Sequence, residues 1–432
     1  MSSDRESEVG SLHARLIEAP FADDADTGAI ADLRAMICAA SADTALAPLA
    51  DVLTQPKVQA LLSGILAGSP YLGRLAARDL FALQAMLTSP PEQHFEALSR
   101  DVRTTVENAA SINEAMKALR VYKNRVALLT ALCDIGGVWP VMTVTGVLTA
   151  TADAALQSSV RYLFRQAIAR GEWTENTPDA AETSGFIVLG MGKYGAHELN
   201  YSSDIDLIIF YEKDRARLRP NLEAQTFFVR ITRDLVKLMH ERTADGYVFR
   251  TDLRLRPDPG ATQVALSTDA AMHYYEAFGQ NWERAALIKA RAVAGDQEAG
   301  RMLLDDLAPF VWRKYLDYAA IADIHAMKRQ IHAFRGLGGI GVAGHNVKLG
   351  RGGIREIEFF TQTQQLIAGG RQRELRIRPT LAALQALTAR GWIKENVRAD
   401  LERAYGYLRR IEHRIQMVAD EQTHQLDRKS VV

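Results

Sequence analysis

Two aspartates stand one residue apart at the start of a short apolar run. Asp204 and Asp206 open the stretch DIDLIIF, which is typical of a β-strand. Because residues i and i+2 of a strand point to the same face, the two carboxylates would lie side by side. A divalent cation would relieve their repulsion, and oxygen ligands suit Mg²⁺. The pair predicts a magnesium site for chemistry at phosphorus, or else a solvated strand end where two acids meet by chance.

A third carboxylate lies in a second candidate strand, VFRTDLRLRP at 248–257. Because side chains alternate along a strand, the odd-numbered ones would face the core, namely Phe249, Thr251, Leu253 and Leu255. The even-numbered ones would lie on the opposite face, namely Arg250, Asp252, Arg254 and Arg256. An acid among arginines suits a metal ligand surrounded by phosphate-binding groups, although an exposed, salt-bridged face is the alternative. We predict that the catalytic residues and metal ligands are Asp204, Asp206 and Asp252, and that Arg254 and Arg256 bind phosphate.

A glycine turn precedes the acidic pair. Gly190, Gly192 and Gly195 follow an apolar run in the spacing G-x-G-x-x-G, which is typical of dinucleotide-binding folds. Only residues 196–203 separate this turn from the next strand, whereas a parallel crossover needs about a dozen residues or more. We therefore favour a phosphate-binding turn in a nucleotidyltransferase, with Lys193 and Ser203 as further candidate contacts.

Two later stretches carry cations that suit phosphate. WERAALIKARAVAGD (282–296) is predicted to form one helix with Arg284, Ile288 and Arg291 on one side. KLGRGGIREIEFF (348–360) is predicted to be a glycine-rich turn that enters a helix, which favours anion binding. The candidate residues are Arg284, Lys348, Arg351 and Arg355, and solvated helix faces are the alternative. The histidines show no metal-ligand spacing, and we interpret His413 and His424 as surface residues.

The elements that must position these residues are mostly helical. Residues 1–180 are predicted to be helical because apolar residues recur at three- and four-residue steps. Strand-like runs and a helix from about 222 to 242 indicate a small mixed-sheet catalytic domain over 181–300. Helical patterns return over 301–426, including IADIHAMKRQIHAFRG at 321–336. Residues 171–185 are the predicted linker, and 427–432 are interpreted as an appended tail. The predicted fold class is therefore α+β.

Composition restricts the class of protein. The 432-residue chain carries 52 basic and 52 acidic side chains, so its formal net charge is zero, which argues against general nucleic-acid binding. Two cysteines without C-x-x-C spacing argue against a disulfide framework and a zinc site. No signal peptide is visible, and the uncharged run between Asp134 and Asp153 contains glycines and a proline, which argue against a membrane span. We expect a cytoplasmic protein without nucleic-acid or membrane partners.

Several stretches together resemble one family. GMGKYGAHELNYSSDIDLIIFY resembles the nucleotidyltransferase signature of the bacterial glutamine synthetase adenylyltransferase/adenylyl-removing enzymes. DLRLRP, WERAALIKARAVAGD and KLGRGGIREIEFFTQ resemble the later motifs of that family in the same order, and LRVYKNRVALLTALCDIGGVWP resembles its upstream segment. The likeness covers roughly residues 115–426. Tyr194 and Ala196 replace the more usual leucine and glycine, and the Gly-Ser pair of the wider superfamily is absent.

The resemblance implies a polymerase-β-like fold and a specific reaction. Family members carry two catalytic halves in tandem, and this chain resembles the amino-terminal half, which removes AMP from a tyrosine of glutamine synthetase. Inorganic phosphate would attack the α-phosphorus, the aspartates would hold Mg²⁺, and ADP would leave. The implied partners are adenylylated glutamine synthetase and a uridylylated PII signal protein. The alternatives are adenylyl transfer from ATP and a non-catalytic PII-sensing module.

Overall fold

A computed structural model of the chain describes residues 10–17, 27–313 and 344–426. The fold is α+β and mostly helical, with one small mixed sheet, as the sequence predicts. Within the described residues, the helices that precede the sheet are α1 (Thr27–Ala42), α2 (Ala47–Leu53), α3 (Pro56–Gly68), α4 (Pro70–Arg78), α5 (Leu80–Thr88), α6 (Pro91–Glu107), α7 (Ile112–Ile135) and α8 (Val141–Ala169).

Local sequence explains where these helices begin and which face they bury. Ser69, Asp79 and Ser111 cap α4, α5 and α7, because their side-chain oxygens accept hydrogen bonds from backbone N–H groups of the first turn. Apolar residues of α7 fall three and four positions apart, as a buried helix face requires. The buried residues of α7 include a row at this spacing, Leu119, Tyr122, Val126, Leu129 and Cys133.

The sheet lies between the amino-terminal and carboxy-terminal helices. Within the described residues its strands are β1 (Phe186–Gly190), β2 (Asp204–Tyr211), β3 (Arg250–Asp252), β4 (Leu266–Ser267) and β5 (Arg291–Gly295). The strand order is β3-β2-β1-β5, and β4 also pairs with β2. β1 is antiparallel to β2 and β5, whereas β2 is parallel to β3 and β4. The sheet is therefore mixed, as predicted.

The pairing of β1 with β2 decides between the two interpretations of the glycine turn. Gly190 at the end of β1 pairs with Leu207 near the start of β2, and the two strands are antiparallel. The short helix α9 (Gly192–Gly195) lies in the connection between them. A dinucleotide fold needs a parallel crossover at this point, so the dinucleotide interpretation is wrong. The turn and Asp204 lie at the same edge of the sheet.

The remaining helices of the described residues surround the sheet and form the carboxy-terminal region. They are α10 (Ala224–His240), α11 (Thr268–Ala277), α12 (Asn281–Leu287), α13 (Gln297–Asp306), α14 (Ala308–Val311), α15 (Ile354–Ala368), α16 (Thr380–Ala389) and α17 (Glu395–Met417). The predicted helix at 321–336 and the tail at 427–432 lie outside the described residues.

Two predictions about elements are wrong. Residues 282–296 form α12 followed by β5, not one helix, because the alanine-rich second half pairs its backbone with β1. Arg284 and Arg291 therefore share no helix face. The strand predicted over 248–257 ends at Asp252, since the chain turns toward Pro257 and Pro259, which cannot continue a ladder.

One hydrophobic core crosses the predicted linker. The ring of Phe164 on α8 lies 5.1 Å from Trp173 and 6.0 Å from Phe227 on α10, between ring centroids. Ala180 and Ala181 are buried in the same cluster. The amino-terminal helices and the sheet thus share a core, and the domain limits at 180 and 300 stay a prediction.

Among the described residues, no single helix is both long and apolar enough to cross a bilayer. One pair of helices, Gly28–Ala42 and Thr44–Leu53, has the required length and apolar character only when the two are joined across a 115° bend.

Candidate active site

A cavity of about 470 Å³ opens where the sheet edge meets helices α12 and α15. The predicted site residues that line it are Gly192, Lys193, Ser203, Asp204, Asp206, Asp252, Arg254, Lys348 and Arg355. Other lining residues include Tyr194, Leu255, Trp282, Ala285, Ala286, Lys289, Glu358, Phe359, Gln362 and Gln422. Acidic, basic and apolar groups therefore converge on one space.

The three aspartates lie together at this edge because β2 and β3 are parallel and in register. Asp206 is the direct partner of Asp252, and Asp204 is the partner of Arg250. Neighbouring strands lie about 4.8 Å apart. Asp204 and Asp206 share one face of β2, so all three carboxylates lie at one edge of the sheet.

The surroundings of the three carboxylates differ. Burial and the nearby charge of Asp252 raise the pKa of Asp206 to about 6. A hydrogen bond from Arg254 holds the pKa of Asp252 below its ordinary value. Asp204 accepts from Nε of Arg250 at 2.7 Å. Asp206 is therefore the carboxylate that a cation would stabilise most, because its charged form is the one that burial and like charges disfavour.

The carboxylates do not form a ready-made metal cage. Among the described residues no group of three or more His, Cys, Asp or Glu side chains is arranged to hold a metal ion. Arg254 occupies Asp252 through a 2.5 Å ion pair, but its side chain is 84% exposed. Water screens an ion pair as exposed as this one, so the pair is weak. The donor chemistry therefore fits Mg²⁺, and the Arg254 contact is weak enough for a cation to displace.

The glycine turn brings backbone against the acidic pair. Gly192 has φ of +54°, and a Cβ there would lie 3.1 Å from Oδ2 of Asp206. A Cβ at Gly195 would collide with the carbonyl oxygens of Lys289 and Gly190. Gly190 itself belongs to β1 and packs against Tyr194 and Val293. Gly195 therefore leaves no room for a side chain, Gly192 is strained for any other residue, and the turn lies beside Asp206.

Two of the lysines that line the cavity, Lys193 and Lys289, belong to a buried group of charged side chains at its floor. We call this group the buried ion cluster, and its members are Lys193, Glu198, Lys289, Glu358, Arg409 and Glu412. Nζ of Lys193 lies 3.2 Å from Glu412 and 4.0 Å from Glu358. Nζ of Lys289 lies 3.0 Å from Glu198 and 3.8 Å from Glu358. Burial lowers the pKa of Lys193 to about 8, against the opposing effect of the two glutamates. For Lys289 the two neighbouring glutamates outweigh burial, and its pKa is raised.

Three predicted phosphate-binding arginines are not among the residues that line the cavity. Arg256 donates to the backbone carbonyls of Leu253, Pro259 and Thr262, so its guanidinium group stabilises the loop in which it lies. Arg284 is fully buried and donates to the carbonyls of Phe310 and Val311 at the end of α14. Arg351 is exposed on the loop before α15. Arg256 and Arg284 are therefore not proposed as phosphate contacts, since their guanidinium groups donate hydrogen bonds to backbone carbonyls.

Sequence reasoning missed several lining residues. Lys289 and Glu358 line the cavity and lie inside the two cationic stretches. Lys289 was not predicted, because a single helix over 282–296 would place Arg284 on the cationic side instead. The spacing of Trp282, Ala285 and Ala286 on α12 was an available signal, because positions i, i+3 and i+4 share a helix face.

The interpretation of His413 and His424 as surface residues is wrong. His413 is fully buried, and its Nδ1 lies 3.0 Å from Oδ2 of Asp134. Nδ1 of His424 lies 3.2 Å from Glu412, and the side chain is 12% exposed. Both histidines therefore lie in the packed interior of the carboxy-terminal region, not on its surface.

Two family models match the chain. The model described as glutamate-ammonia ligase adenylyltransferase matches residues 59–305, which include β1–β5 and the three aspartates. The model described as GlnD PII-uridylyltransferase matches residues 324–432.

Bifunctional glutamine synthetase adenylyltransferase/adenylyl-removing enzymes are among the similar curated proteins. The protein of that name from Bradyrhizobium diazoefficiens is 57% identical over 388 residues, which is 89% of this chain and 39% of that protein. Its counterpart from Xanthobacter autotrophicus is 51% identical over 418 residues, 96% of this chain and 42% of that protein. The chain spans about two fifths of the length of these relatives.

Proposed function

The chain belongs to the glutamate-ammonia ligase adenylyltransferase family, and from this membership and the site we propose that it removes AMP from an adenylylated tyrosine of glutamine synthetase by phosphorolysis. Inorganic phosphate is the second substrate, Mg²⁺ is the cofactor, and ADP and the unmodified tyrosine are the products. We assign the chain to the amino-terminal, adenylyl-removing half of the family protein and place its activity in the cytoplasm.

The register of β2 and β3 is the observation that carries this proposal. It sets Asp252 beside Asp206 at the edge of a cavity that also contains Lys193, Lys289 and Lys348. Carboxylates that can bind a divalent cation, beside cations that can bind phosphate, are what phosphoryl and nucleotidyl transfer require.

The proposed reaction needs no protein nucleophile. An oxygen of inorganic phosphate attacks the α-phosphorus in line with the tyrosine oxygen. The new P–O–P bond forms while the bond from phosphorus to the tyrosine oxygen breaks, and the proton of the phosphate passes to that oxygen. Atoms and charge balance as ADP plus tyrosine.

Side chains of the chain bind and orient the two phosphates in this scheme. Mg²⁺, when bound by Asp204, Asp206 and Asp252, would neutralise charge on the transferring group. Lys193, Lys289 and Lys348 offset the remaining negative charge from the cavity floor, and Arg355 contributes from the first turn of α15. With a cation bound at Asp252, Arg254 would be available to bind a phosphate oxygen.

Adenylyl transfer from ATP to glutamine synthetase is the rival activity, because one metal site can serve both directions. The test incubates the chain and Mg²⁺ either with adenylylated glutamine synthetase and phosphate, or with unmodified glutamine synthetase and ATP. We expect ADP in the first mixture and no modified tyrosine in the second. The reverse pattern would assign the chain to transfer.

A uridylylated PII protein is the proposed partner that promotes removal, which the likeness of residues 324–432 to the PII-uridylyltransferase family supports. A non-catalytic PII-sensing module is the remaining alternative. Adding uridylylated PII to the first mixture should raise the rate of ADP release. No ADP with or without PII would favour the sensing module over an enzyme.

A further inference from the structure

The cavity has two chemically different walls. Carboxylates and lysines occupy the strand edge and the floor, as described above. Five lining residues on α12, on α15 and in the loop after β3 are apolar or aromatic, and we call them the apolar wall: Leu255, Trp282, Ala285, Ala286 and Phe359. A nucleotide is likewise divided into a charged phosphate end and a flat, apolar base.

Helices α12 and α15 hold the apolar wall in place. Ala285, Ala286 and Phe359 pack against the buried hydrophobic cluster beneath the wall, as does Leu255. Trp282 lines the cavity and keeps 38% of its surface exposed. An aromatic ring with exposed area beside a fixed apolar surface suits stacking of a nucleobase.

Gln362 adds a polar group of fixed orientation to this wall. It lines the cavity one turn after Phe359 on α15, and its Nε2 donates to the backbone carbonyl of Ala285 at 3.1 Å. A backbone carbonyl can only accept, so the amide nitrogen must face Ala285. The other end of the carboxamide, Oε1, is an acceptor and cannot donate.

We propose that the apolar wall is the base subsite and that Gln362 selects adenine over guanine. The 6-amino group of adenine donates to Oε1 of Gln362, whereas guanine presents the acceptor O6 at the same corner of the ring. Two facing acceptors leave both groups unpaired, which a buried site disfavours. This inference rests on the proposed function, which places a nucleotide in the cavity. It adds the residue that distinguishes adenine from guanine.

The test compares equilibrium binding of ADP and GDP to the full chain with Mg²⁺, by calorimetry. We expect ADP to bind at least about tenfold more tightly than GDP, the scale of one hydrogen bond gained against one lost. Gln362→Leu should abolish the preference, mainly by weakening ADP. Trp282→Ala should weaken both nucleotides to a similar degree, because stacking tolerates any base.

Two further variants separate base recognition from wall geometry. Gln364→Leu lies on the same helix outside the cavity lining and should keep the wild-type preference. Gln362→Glu keeps acceptor oxygens but loses the donor to Ala285, so it should bind nucleotides more weakly and still prefer ADP. Circular dichroism melts confirm that each variant is folded.

Equal affinity of the wild-type chain for ADP and GDP would overturn this inference, and so would a preference that survives Gln362→Leu. Either result leaves the proposed function standing if ADP is still released from adenylylated glutamine synthetase. Failure of the chain to bind either nucleotide would also overturn the base subsite, and the assay of ADP release would then decide the proposed function separately.

Discussion

The Asp206 carboxylate occupies a position that disfavours its own charge. Burial raises its pKa to about 6, and the charges of Asp252 and Asp204 add to the effect. A position that destabilises a carboxylate without stabilising the fold is typical of a residue kept for chemistry. The adjacent pair was predictable from spacing alone. The ion pairs of Arg250 with Asp204 and of Arg254 with Asp252 were not, because they depend on the register of β2 against β3 and on the path of the loop after β3.

Replacement of Asp206 should separate activity from stability. We expect Asp206→Asn to lower the rate of ADP release at least about 100-fold, beyond the 10–100-fold loss usual for residues that only support a metal ligand. At neutral pH the urea unfolding midpoint should stay equal or rise, since the variant removes a buried charge. Asp269→Asn, 83% exposed on α11, is the matched control and should change neither quantity. Full activity of Asp206→Asn would contradict the site assignment.

The charge of Lys193 should control anion binding near pH 8. Its pKa is about 8 because burial disfavours the ammonium form, so the free chain loses this cation as pH rises through that value. Hydrogen bonds to charged groups contribute about 1.5–3 kcal/mol, so sulfate affinity should fall about tenfold from about pH 7 to about pH 9. Sulfate is the suitable probe, as its own charge is constant there. Lys193→Met should bind sulfate weakly at both pH values, and an unchanged pH profile in that variant would contradict the role of Lys193.

At the scale of elements, the turn between β1 and β2 positions the site. Gly192 enters α9 with positive φ, directly beside Asp206. The sequence predicted the turn because glycine spacing and connection length are local features. It did not predict β5, because ARAVAG suits a helix as well as a strand and only pairing with β1 decides the outcome.

Gly192→Ala should therefore impair catalysis more than folding. Left-handed backbone costs a non-glycine residue about 1–2 kcal/mol, and the new Cβ would press on Oδ2 of Asp206. We expect a loss of stability of about that size, measured by urea unfolding, with ADP release reduced at least about tenfold. Gly146→Ala is the control: it lies inside α8 with open space around its Cβ position, so it should stabilise the helix by up to about 1 kcal/mol and keep activity. Equal activity of the two variants would contradict the positioning role of the turn.

At the scale of the whole molecule, helical regions on both sides hold the small sheet. Asp153 of α8 accepts from the hydroxyl of Tyr194 at 2.7 Å and from Arg291 of β5, which fixes the turn from the amino-terminal side. On the other side, Glu412 of α17 pairs with Lys193, and Arg409 of the same helix donates to the backbone carbonyl of Glu198. Sequence patterns predicted that helices flank the sheet, but they could not predict these contacts, because each joins residues more than 40 positions apart.

The buried ion cluster should contribute to stability in a way that exposed pairs do not. Lys289→Met leaves Glu198 and Glu358 buried with less compensation, and breaking a buried pair costs about 3–5 kcal/mol. Arg301→Met breaks exposed pairs with Glu298 and Asp305, which water screens, so its effect on stability should be small. Urea unfolding of both variants measures the contrast. If Lys289→Met lowers the free energy of unfolding no more than Arg301→Met does, the buried ion cluster does not stabilise the fold.

The central claim is that inorganic phosphate, and not water, attacks the AMP–tyrosine bond. The most direct measurement incubates the chain with adenylylated glutamine synthetase, Mg²⁺ and radiolabelled orthophosphate, and then separates the nucleotides. We predict that the label appears in ADP, at the β-phosphate, in proportion to the tyrosine restored. Release of unlabelled AMP, or no release of nucleotide with or without uridylylated PII, would contradict the account.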